Sequence, residues 1–272
     1  MNPPDRDDRR TSEELVAAAL QGGEEDEAAW AAIRELHRRG TLEILRIGQN
    51  LLNSKSAKER GRGADILAQL GSPERTFRTE CVESLLQRLA LEHEPAVLNS
   101  IAVALGHLGD ARAVPQLVLL KSHADPEVRY GVVHGLLGHV APAAVEALIQ
   151  LSGDSDEEVR NWATFGLGSQ IEEVDTPELR DALARRLDDE IDEVRGEALV
   201  GLARRKDGRV VGPLRRELER GNVVVLAVEA AEALGDRSLL PLLVQLRDAP
   251  GQTDAYFLKV LSDAISALGT ES

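Results

Sequence analysis

Apolar residues fall at four-residue steps along most of this chain, in short blocks that recur. The blocks are Val97, Ile101 and Leu105; Val128, Val132 and Leu136; Val159, Ala163 and Leu167; Val194, Ala198 and Leu202; Leu226, Ala230 and Leu234; and Val260, Ala264 and Leu268. A step of four lines one face of a helix, so each block predicts an amphipathic helix. Ile66 and Leu70 form an earlier and weaker copy.

A second kind of segment alternates with these blocks and carries a proline near its start. Proline fits the first turn of a helix, because the N–H that it lacks has no partner there. We therefore expect helices over 111–121, 176–187, 209–218 and 238–247, which contain Pro115, Pro177, Pro213 and Pro241. Two helix types thus alternate, which predicts an all-α fold.

The helix pairs repeat at a nearly constant spacing. The helices of the first kind open on similar acidic turns, which stand at 125–129 (DPEVR), 156–160 (DEEVR) and 191–195 (IDEVR). Val97, Val128 and Val159 are 31 residues apart, and Val194 follows after 35. A period of this length is typical of a solenoid of stacked units, and we expect about seven of them.

These units resemble the HEAT repeat of the short bacterial kind. The resemblance rests on 110–117 (DARAVPQL), 125–129 (DPEVR) and 135–138 (GLLG). It implies a right-handed α-solenoid of stacked antiparallel helix pairs, with the second helix of each pair on the concave side. It also implies a structural ladder of turn aspartates and helix arginines, which Asp154, Arg160, Asp189 and Arg195 match. The repeat led by Leu226 departs from this pattern, so we expect the ladder to end before it.

The N-terminal part differs from the repeats. Residues 1–10 are charged and unpatterned, which predicts disorder. Residues 11–54 predict a helical cap and the first half-repeat, with helices at 11–20, 26–39 and 41–53; Thr11 and Glu14 have the spacing of a capping box. Residues 55–272 then form the repeat array, in one continuous domain with the cap. The stretches 169–176 and 248–254 are read as insertions between units.

Composition narrows the classes of partner. The net charge is −15, and most of it lies in the C-terminal half, so the surface repels phosphate backbones and favours a protein partner with a basic surface. The basic stretch 204–206 is attributed to the dipole of a helix C-terminus and not to a nucleic-acid site. No stretch is long and apolar enough to span a bilayer, and we expect a cytoplasmic protein. Cys81, the one cysteine, is expected to pack as a small apolar residue.

The repeat register predicts which side chains face the concave groove. In each block, the residues two, three and six positions after the first apolar residue should lie on this face. The predicted binding residues are Asn99, Tyr130, His134, Asn161, Trp162, Phe165, Glu197, Glu229 and Glu232. Aromatic side chains within a rim of amides and carboxylates are typical of a binding hot spot. The alternative is that Trp162 and Phe165 only thicken the core.

The sequence lacks the common nucleotide-binding and catalytic motifs. We therefore expect a non-enzymatic interaction scaffold or adaptor with no cofactor and no metal site. Three alternatives remain open: an alkylpurine DNA glycosylase-like enzyme, a phycobilin lyase-like tetrapyrrole binder, and an acidic immunity-type inhibitor of a basic protein. The acidic groove argues against the first. A deoxyhypusine hydroxylase-like di-iron site needs several His-Glu pairs, and the chain has one, His93-Glu94.

Overall fold

The computed structural model describes residues 8–23, 26–220, 223–249 and 254–269. Over these ranges the chain is all-helical and has no strand. The contacts between Cα atoms divide it into two compact units, Met1–Leu136 and Leu137–Ser272. The sequence-based expectation of one continuous domain stays a prediction.

The first unit contains a two-helix cap and three helix pairs. Its helices are α1 (Ser12–Gln21), α2 (Glu27–Arg39), α3 (Leu42–Leu52), α4 (Ala57–Ala68), α5 (Arg78–Leu89), α6 (Pro95–Leu108), α7 (Val114–Leu119) and α8 (Pro126–Leu136). Helices α3 and α4, α5 and α6, and α7 and α8 pack as pairs. The second helices then pack on one another, α4 on α6 and α6 on α8.

The second unit contains four helix pairs built in the same way. Its helices are α9 (Pro142–Leu151), α10 (Glu157–Phe165), α11 (Pro177–Ala184), α12 (Asp192–Arg204), α13 (Val211–Leu218), α14 (Val225–Leu234), α15 (Leu240–Asp248) and α16 (Ala255–Gly269). The second helices α10, α12, α14 and α16 pack in sequence. With the three pairs of the first unit, this confirms the prediction of about seven stacked pairs.

Local capping explains where the cap helices begin and end. The Thr11 hydroxyl accepts a hydrogen bond from the backbone N–H of Glu14, and the Glu14 side chain accepts one from the N–H of Thr11, so the predicted capping box is formed. Asp26 caps the start of α2 through the N–H groups of the next turn. Gly40 ends α2 in the left-handed conformation, with a φ of 52°, which costs glycine little.

Three of the four proline-bearing helices begin differently from the prediction. A 3₁₀ turn precedes the α-helix at Ala111–Ala113, Gly208–Val210 and Arg237–Leu239. The carboxylates of Asp110, Asp207 and Asp236 each accept a hydrogen bond from the N–H two residues later. This side-chain bond closes the first turn as a 3₁₀ turn, so the α-helix itself begins two or three residues later than predicted. The fourth, α11, is shorter than the predicted 176–187.

The periodic apolar residues form the core of each unit. Those of the six blocks, with Ile66 and Leu70, are buried, except Leu226 and Leu234, which are half-buried. In the first unit α6 and α8 approach closely. A Cβ atom at Gly135 would lie 2.9 Å from the carbonyl oxygen of Ala102, and one at Gly106 would lie 2.3 Å from that of His134. Glycine at these positions therefore permits contact between the two backbones.

The insertion at 169–176 folds into the second unit. The end of α10 continues as a π-helix over Gly166–Gln170, and the following Ile171 is fully buried. The guanidinium of Arg205, which is only 7% exposed, donates hydrogen bonds to the carbonyl oxygens of Leu167, Ile171 and Val174. This insertion is thus held by a buried arginine. In the other insertion, residues 250–253 lie outside the described residues, as do residues 1–7 of the predicted disordered segment.

Candidate functional site

Four arginines mark the same position in the second helices. Nη1 of Arg60, Arg129, Arg160 and Arg195 donates in each case to the carbonyl oxygens six and five residues earlier. Each arginine therefore satisfies the backbone of the turn that leads into its own helix. These contacts fix a common register for α4, α8, α10 and α12.

Charged pairs join neighbouring repeats within each unit. In the second unit, Nε of Arg160 lies 3.0 Å from the carboxylate of Asp189, while Nη1 contacts the backbone carbonyl of Asp154. Arg195 also pairs with a carboxylate of the next repeat, that of Glu217 on α13, at 2.9 Å. The sequence pattern predicted that the ladder would end before this repeat. In the first unit, Arg60 and Glu92 form the equivalent pair at 2.7 Å.

The inner faces of α4 and α6 line a cavity of about 600 Å³ in the first unit. From α6 come Asn99, Ser100 and Val103, which are the second, third and sixth residues after Val97. From α4 come Gly61, Arg62 and Asp65, which occupy the same positions once Arg60 is aligned with Arg160 and Arg195. Trp30 of α2 also lines the cavity, which we call the Trp30 cavity.

The wall of the Trp30 cavity contains a stacked pair. The guanidinium carbon of Arg62 lies 5.3 Å from the centre of the Trp30 ring, within the range of a cation–π contact. Arg62 is 5% exposed and donates to the carbonyl oxygen of Gly23 at 2.6 Å and to the carboxylate of Asp65 at 3.0 Å. The side chains of this wall are thereby held in place without a ligand.

The predicted groove residues of the first unit divide between two places. Asn99 lines the Trp30 cavity and also packs against Gly131 of α8. The rings of Tyr130 and His134 contact each other on α8, with centroids 4.4 Å apart and planes tilted by 49°, and both residues are half-buried. Burial lowers the pKa of His134 to about 4, with a smaller contribution from the nearby His107. His134 is therefore neutral at physiological pH.

In the second unit, Trp162 and Phe165 form an edge-to-face pair. Their ring centroids are 5.5 Å apart, with the planes at 87°. Both rings are half-buried on α10, as is their neighbour Asn161. Their partial exposure lies between the two predicted extremes, an open groove residue and a core residue.

A half-buried carboxylate stands on α12, the helix that packs next to α10. The Ser169 hydroxyl of the π-helix donates a hydrogen bond to Oε2 of Glu197 at 2.7 Å. Burial raises the pKa of Glu197, and the charge of Glu229 on α14 raises it further, while the Ser169 hydrogen bond and Arg204 oppose this. The side chains of Trp162, Phe165, Glu197 and Glu229 define what we call the acidic–aromatic surface.

The acidic side of this surface extends to the last helix pair. The hydroxyl of Tyr256 on α16 donates to the Glu229 carboxylate at 3.4 Å, and 61% of the Tyr256 surface is exposed. Glu232 is exposed one turn further along α14. Two of the seven aromatic residues were thus assigned to the surface of this unit from sequence, and Tyr256 was missed because it lies outside the repeated blocks.

The same counting rule also puts Gly131, Gly196, Val200 and Val228 on the concave face, but these residues belong to the core. Val200 and Val228 are 1% and 0% exposed, and Gly196 and Gly131 are also buried. A Cβ atom at Gly196 would lie 2.6 Å from the side chain of Leu226. The prediction was wrong here because neighbouring second helices on both sides narrow the face that remains open.

The basic stretch near residue 205 is used internally. Arg204 pairs with Glu172 at 2.6 Å, and the ammonium of Lys206 donates to backbone carbonyls at the end of α14. Arg209 pairs with Asp207 and Arg216 with Asp188. These cations therefore form hydrogen bonds and ion pairs within the second unit, at a helix end and with carboxylates.

The described ranges contain neither a metal-binding cluster nor a membrane-spanning helix. No three His, Cys, Asp or Glu side chains among them are arranged to share a metal ion. Within the same ranges, no helix has the length and apolar character needed to cross a membrane.

Sequence reasoning missed the Trp30 cavity. The early repeat was recognised by Ile66 and Leu70, and its register was left open. Aligning Arg60 with the other arginines would have put Gly61, Arg62 and Asp65 on the inner face. No sequence pattern predicts the contact between Trp30 and Arg62, because Trp30 belongs to the cap and not to a repeat.

Comparison with known proteins agrees with this geometry. The family model for HEAT repeats matches residues 44–136 and 117–203. Protein YibA of Escherichia coli K12 is 30% identical over 220 residues, covering 78% of this chain and 77% of that protein. The X-ray structure of Escherichia coli YibA superimposes with a TM-score of 0.70 at 23% identity, over the full length of both chains. Yeast importin-beta (Kap95p) has a TM-score of 0.69 at 16% identity, covering 95% of this chain and 40% of that one.

Proposed function

Because this chain belongs to the HEAT-repeat family, we propose that it is a protein-interaction scaffold that holds a segment of a partner on its acidic–aromatic surface. The observation that carries the proposal is the half-exposed pair of Trp162 and Phe165 on the helix adjacent to Glu197. Rigid aromatic side chains bury a large area at a small cost in conformational entropy, so they commonly dominate binding energy.

The chemistry of the surface favours a partner segment with basic residues. Glu197 is held by Ser169 and is partly desolvated, so its charge is less screened than that of an exposed carboxylate. Glu229 and Glu232 on the next helix add negative charge, and the whole chain carries −15. A lysine or arginine of the partner would meet these carboxylates while an adjacent apolar side chain packs on the aromatic pair.

The scaffold role is proposed as non-enzymatic, because the features that support it are a binding surface and not a reacting group. The protein is proposed to work in the cytoplasm, since its one cysteine, Cys81, is a free and buried thiol. Partner recognition by an added helix or an extended segment is compatible with an open helical face.

Random peptides displayed on phage test the proposal directly. Selection on the full-length protein, with removal of phage that bind Trp162→Ala, should enrich peptides that have lysine or arginine beside an apolar residue. Isothermal titration of an enriched peptide should show binding at least about tenfold weaker for Trp162→Ala and Glu197→Gln. Glu219→Gln is the matched control, because Glu219 is exposed at the end of α13.

Stability measurements separate a binding role from a structural one. A raised pKa means that the ionised Glu197 is disfavoured in the folded state, so the cost of its charge grows as the pH rises above the pKa of the unfolded chain. Glu197→Gln should therefore keep or increase stability at neutral pH while weakening binding. Enrichment of acidic peptides, or equal binding by the variants, would overturn the proposal. So would a loss of stability above about 3 kcal/mol in Trp162→Ala, which is typical of a core aromatic.

A further inference from the structure

The Trp30 cavity lies in the first unit and takes no part in the proposed function. We propose that it is a second binding site, which accepts an uncharged aromatic side chain of a polypeptide segment. Its volume of about 600 Å³ is in the range of sites that hold small ligands or inserted side chains. Three features of its lining determine the class of occupant: its net charge, the fixed side chains of Trp30 and Arg62, and the small residues between α4 and α6.

The lining has no net charge, although the chain as a whole is strongly acidic. Its charged residues are Lys58, Arg62, Asp65 and Glu94, two of each sign. Arg62 and Asp65 pair with each other at 3.0 Å. A charged group that entered would lose its hydration and gain no opposite net charge in return. The charge balance therefore selects an uncharged occupant.

The wall made by Trp30 and Arg62 is held in place by several contacts. Arg62 is 95% buried, and its guanidinium is fixed by the Gly23 carbonyl, the Asp65 carboxylate and the Trp30 ring. Because these side chains have little freedom left to lose, binding against them costs little entropy. An aromatic ring gains most from a wall that contains an indole and a guanidinium, through apolar burial and stacking.

Small residues line the part of the cavity between α4 and α6 and leave space for a side chain. Gly61 on α4 faces Ser100 on α6, and a Cβ atom at Gly61 would lie 3.5 Å from the Ser100 hydroxyl oxygen. Ala57, Ala96 and Val103 supply apolar surface. The hydroxyl of Ser100 is a donor and acceptor available to the peptide groups on either side of an inserted ring.

Tryptophan fluorescence gives a direct assay. The chain has two tryptophans, so in the full-length Trp162→Phe protein the emission comes from Trp30 alone. N-acetyl-phenylalaninamide, which does not emit in the tryptophan band, should change this emission saturably, with a dissociation constant in the millimolar range expected of a fragment (about 1 mM). N-acetyl-lysinamide and N-acetyl-aspartate should bind at least about tenfold more weakly.

Filling the cavity provides the decisive variant. Gly61→Leu, in the Trp162→Phe background, puts a side chain into the open space and should abolish the response, while leucine favours the helix more than glycine does. Gly212→Leu is the control, because Gly212 is exposed in α13 of the second unit and a Cβ atom there meets only the end of the Arg216 side chain, at 3.8 Å. Both variants should keep the far-UV circular dichroism of the parent.

Several results would overturn the site. These are the absence of a saturable change with N-acetyl-phenylalaninamide, binding of the charged probes with equal strength, and an undiminished response in a folded Gly61→Leu protein. If Gly61→Leu fails to fold, Ser100→Leu fills the same space from the other helix and is judged by the same criteria. The acidic–aromatic surface lies on the second unit, so these results are independent of the peptide selection described above.

Discussion

Neutralising Glu92 should cost the first unit about 3 kcal/mol of stability. Glu92 stands in the turn before α6, with its side chain only 2% exposed. Its carboxylate accepts hydrogen bonds from Arg60 at 2.7 Å, from Arg88 at 2.9 Å, and from the backbone N–H groups of His93 and Glu94 at 3.0 Å. In Glu92→Gln the amide nitrogen would face arginine donors, and two guanidinium groups would lose their counter-charge.

The magnitude follows from the pKa of this carboxyl group. Burial alone would raise the pKa of Glu92, but the hydrogen bonds from Arg60, the two backbone N–H groups and Arg88 outweigh it and hold the pKa at about 2. The unfolded value is near 4.5. Each unit of difference corresponds to about 1.4 kcal/mol, so the ionised form contributes about 3 kcal/mol. Breaking a buried ion pair from one side typically costs a similar amount.

The pH dependence has a definite sign. A carboxyl group whose pKa is depressed by folding stabilises the protein above the unfolded pKa, and this stabilisation is lost as the pH falls from near 4.5 toward 2. Urea unfolding followed by circular dichroism should show the full difference between wild type and Glu92→Gln at neutral pH. The difference should shrink toward zero at about pH 2, and hydrogen exchange should locate the loss in α4 to α6.

Glu83→Gln serves as the matched control. Its carboxylate pairs with Arg112 at 3.5 Å with more than half of its side chain exposed, so the cost should stay below about 1 kcal/mol. Two results would refute the reasoning about Glu92. One is a cost for Glu92→Gln as small as that of the control. The other is a difference between wild type and variant that does not change with pH, which would indicate a loss of packing and not of charge.

Three more outcomes are expected. Gly168→Ala should destabilise the second unit by about 2 kcal/mol in urea unfolding, because its Cβ would lie 2.6 Å from the backbone oxygen of Glu197; an unchanged midpoint would mean that α12 shifts freely. Arg205→Met should accelerate hydrogen exchange near residues 167–174 and cost about 3 kcal/mol, since three backbone carbonyl groups lose their donor; wild-type exchange rates there would contradict this. Burial raises the pKa of the Cys81 thiol to about 12, so iodoacetamide should label it only after unfolding, and rapid labelling of the native protein would count against this.

Helix positions and the repeat register were largely readable from sequence, because they depend on neighbours a few residues away. Four-residue apolar steps reflect helical geometry, and capping by Thr11 and Asp26 is a contact within one turn. The HEAT resemblance then gave the stacking order. The 3₁₀ first turns of three proline-bearing helices were missed, because the aspartate hydrogen bond that closes each of them was not considered.

The candidate sites were predictable only in part. Trp162 and Glu197 were predicted as groove residues because the register assigns residues of each second helix to one face, and both are half-buried. The same rule failed at Val200 and Val228, which are buried. It could not say how much of each ring stays exposed, since that depends on side chains from the neighbouring helices.

Sequence alone determined that this protein is a stack of helix pairs and which apolar residues of each second helix lie in the core, because both follow from local periodicity. Tertiary structure alone decided that Trp30 of the cap stacks on Arg62, and that Glu217 replaces a turn aspartate as the partner of Arg195. Such contacts join residues that are distant in the chain. Their geometry depends on how whole helices pack, and no pattern within a few neighbouring residues encodes that packing.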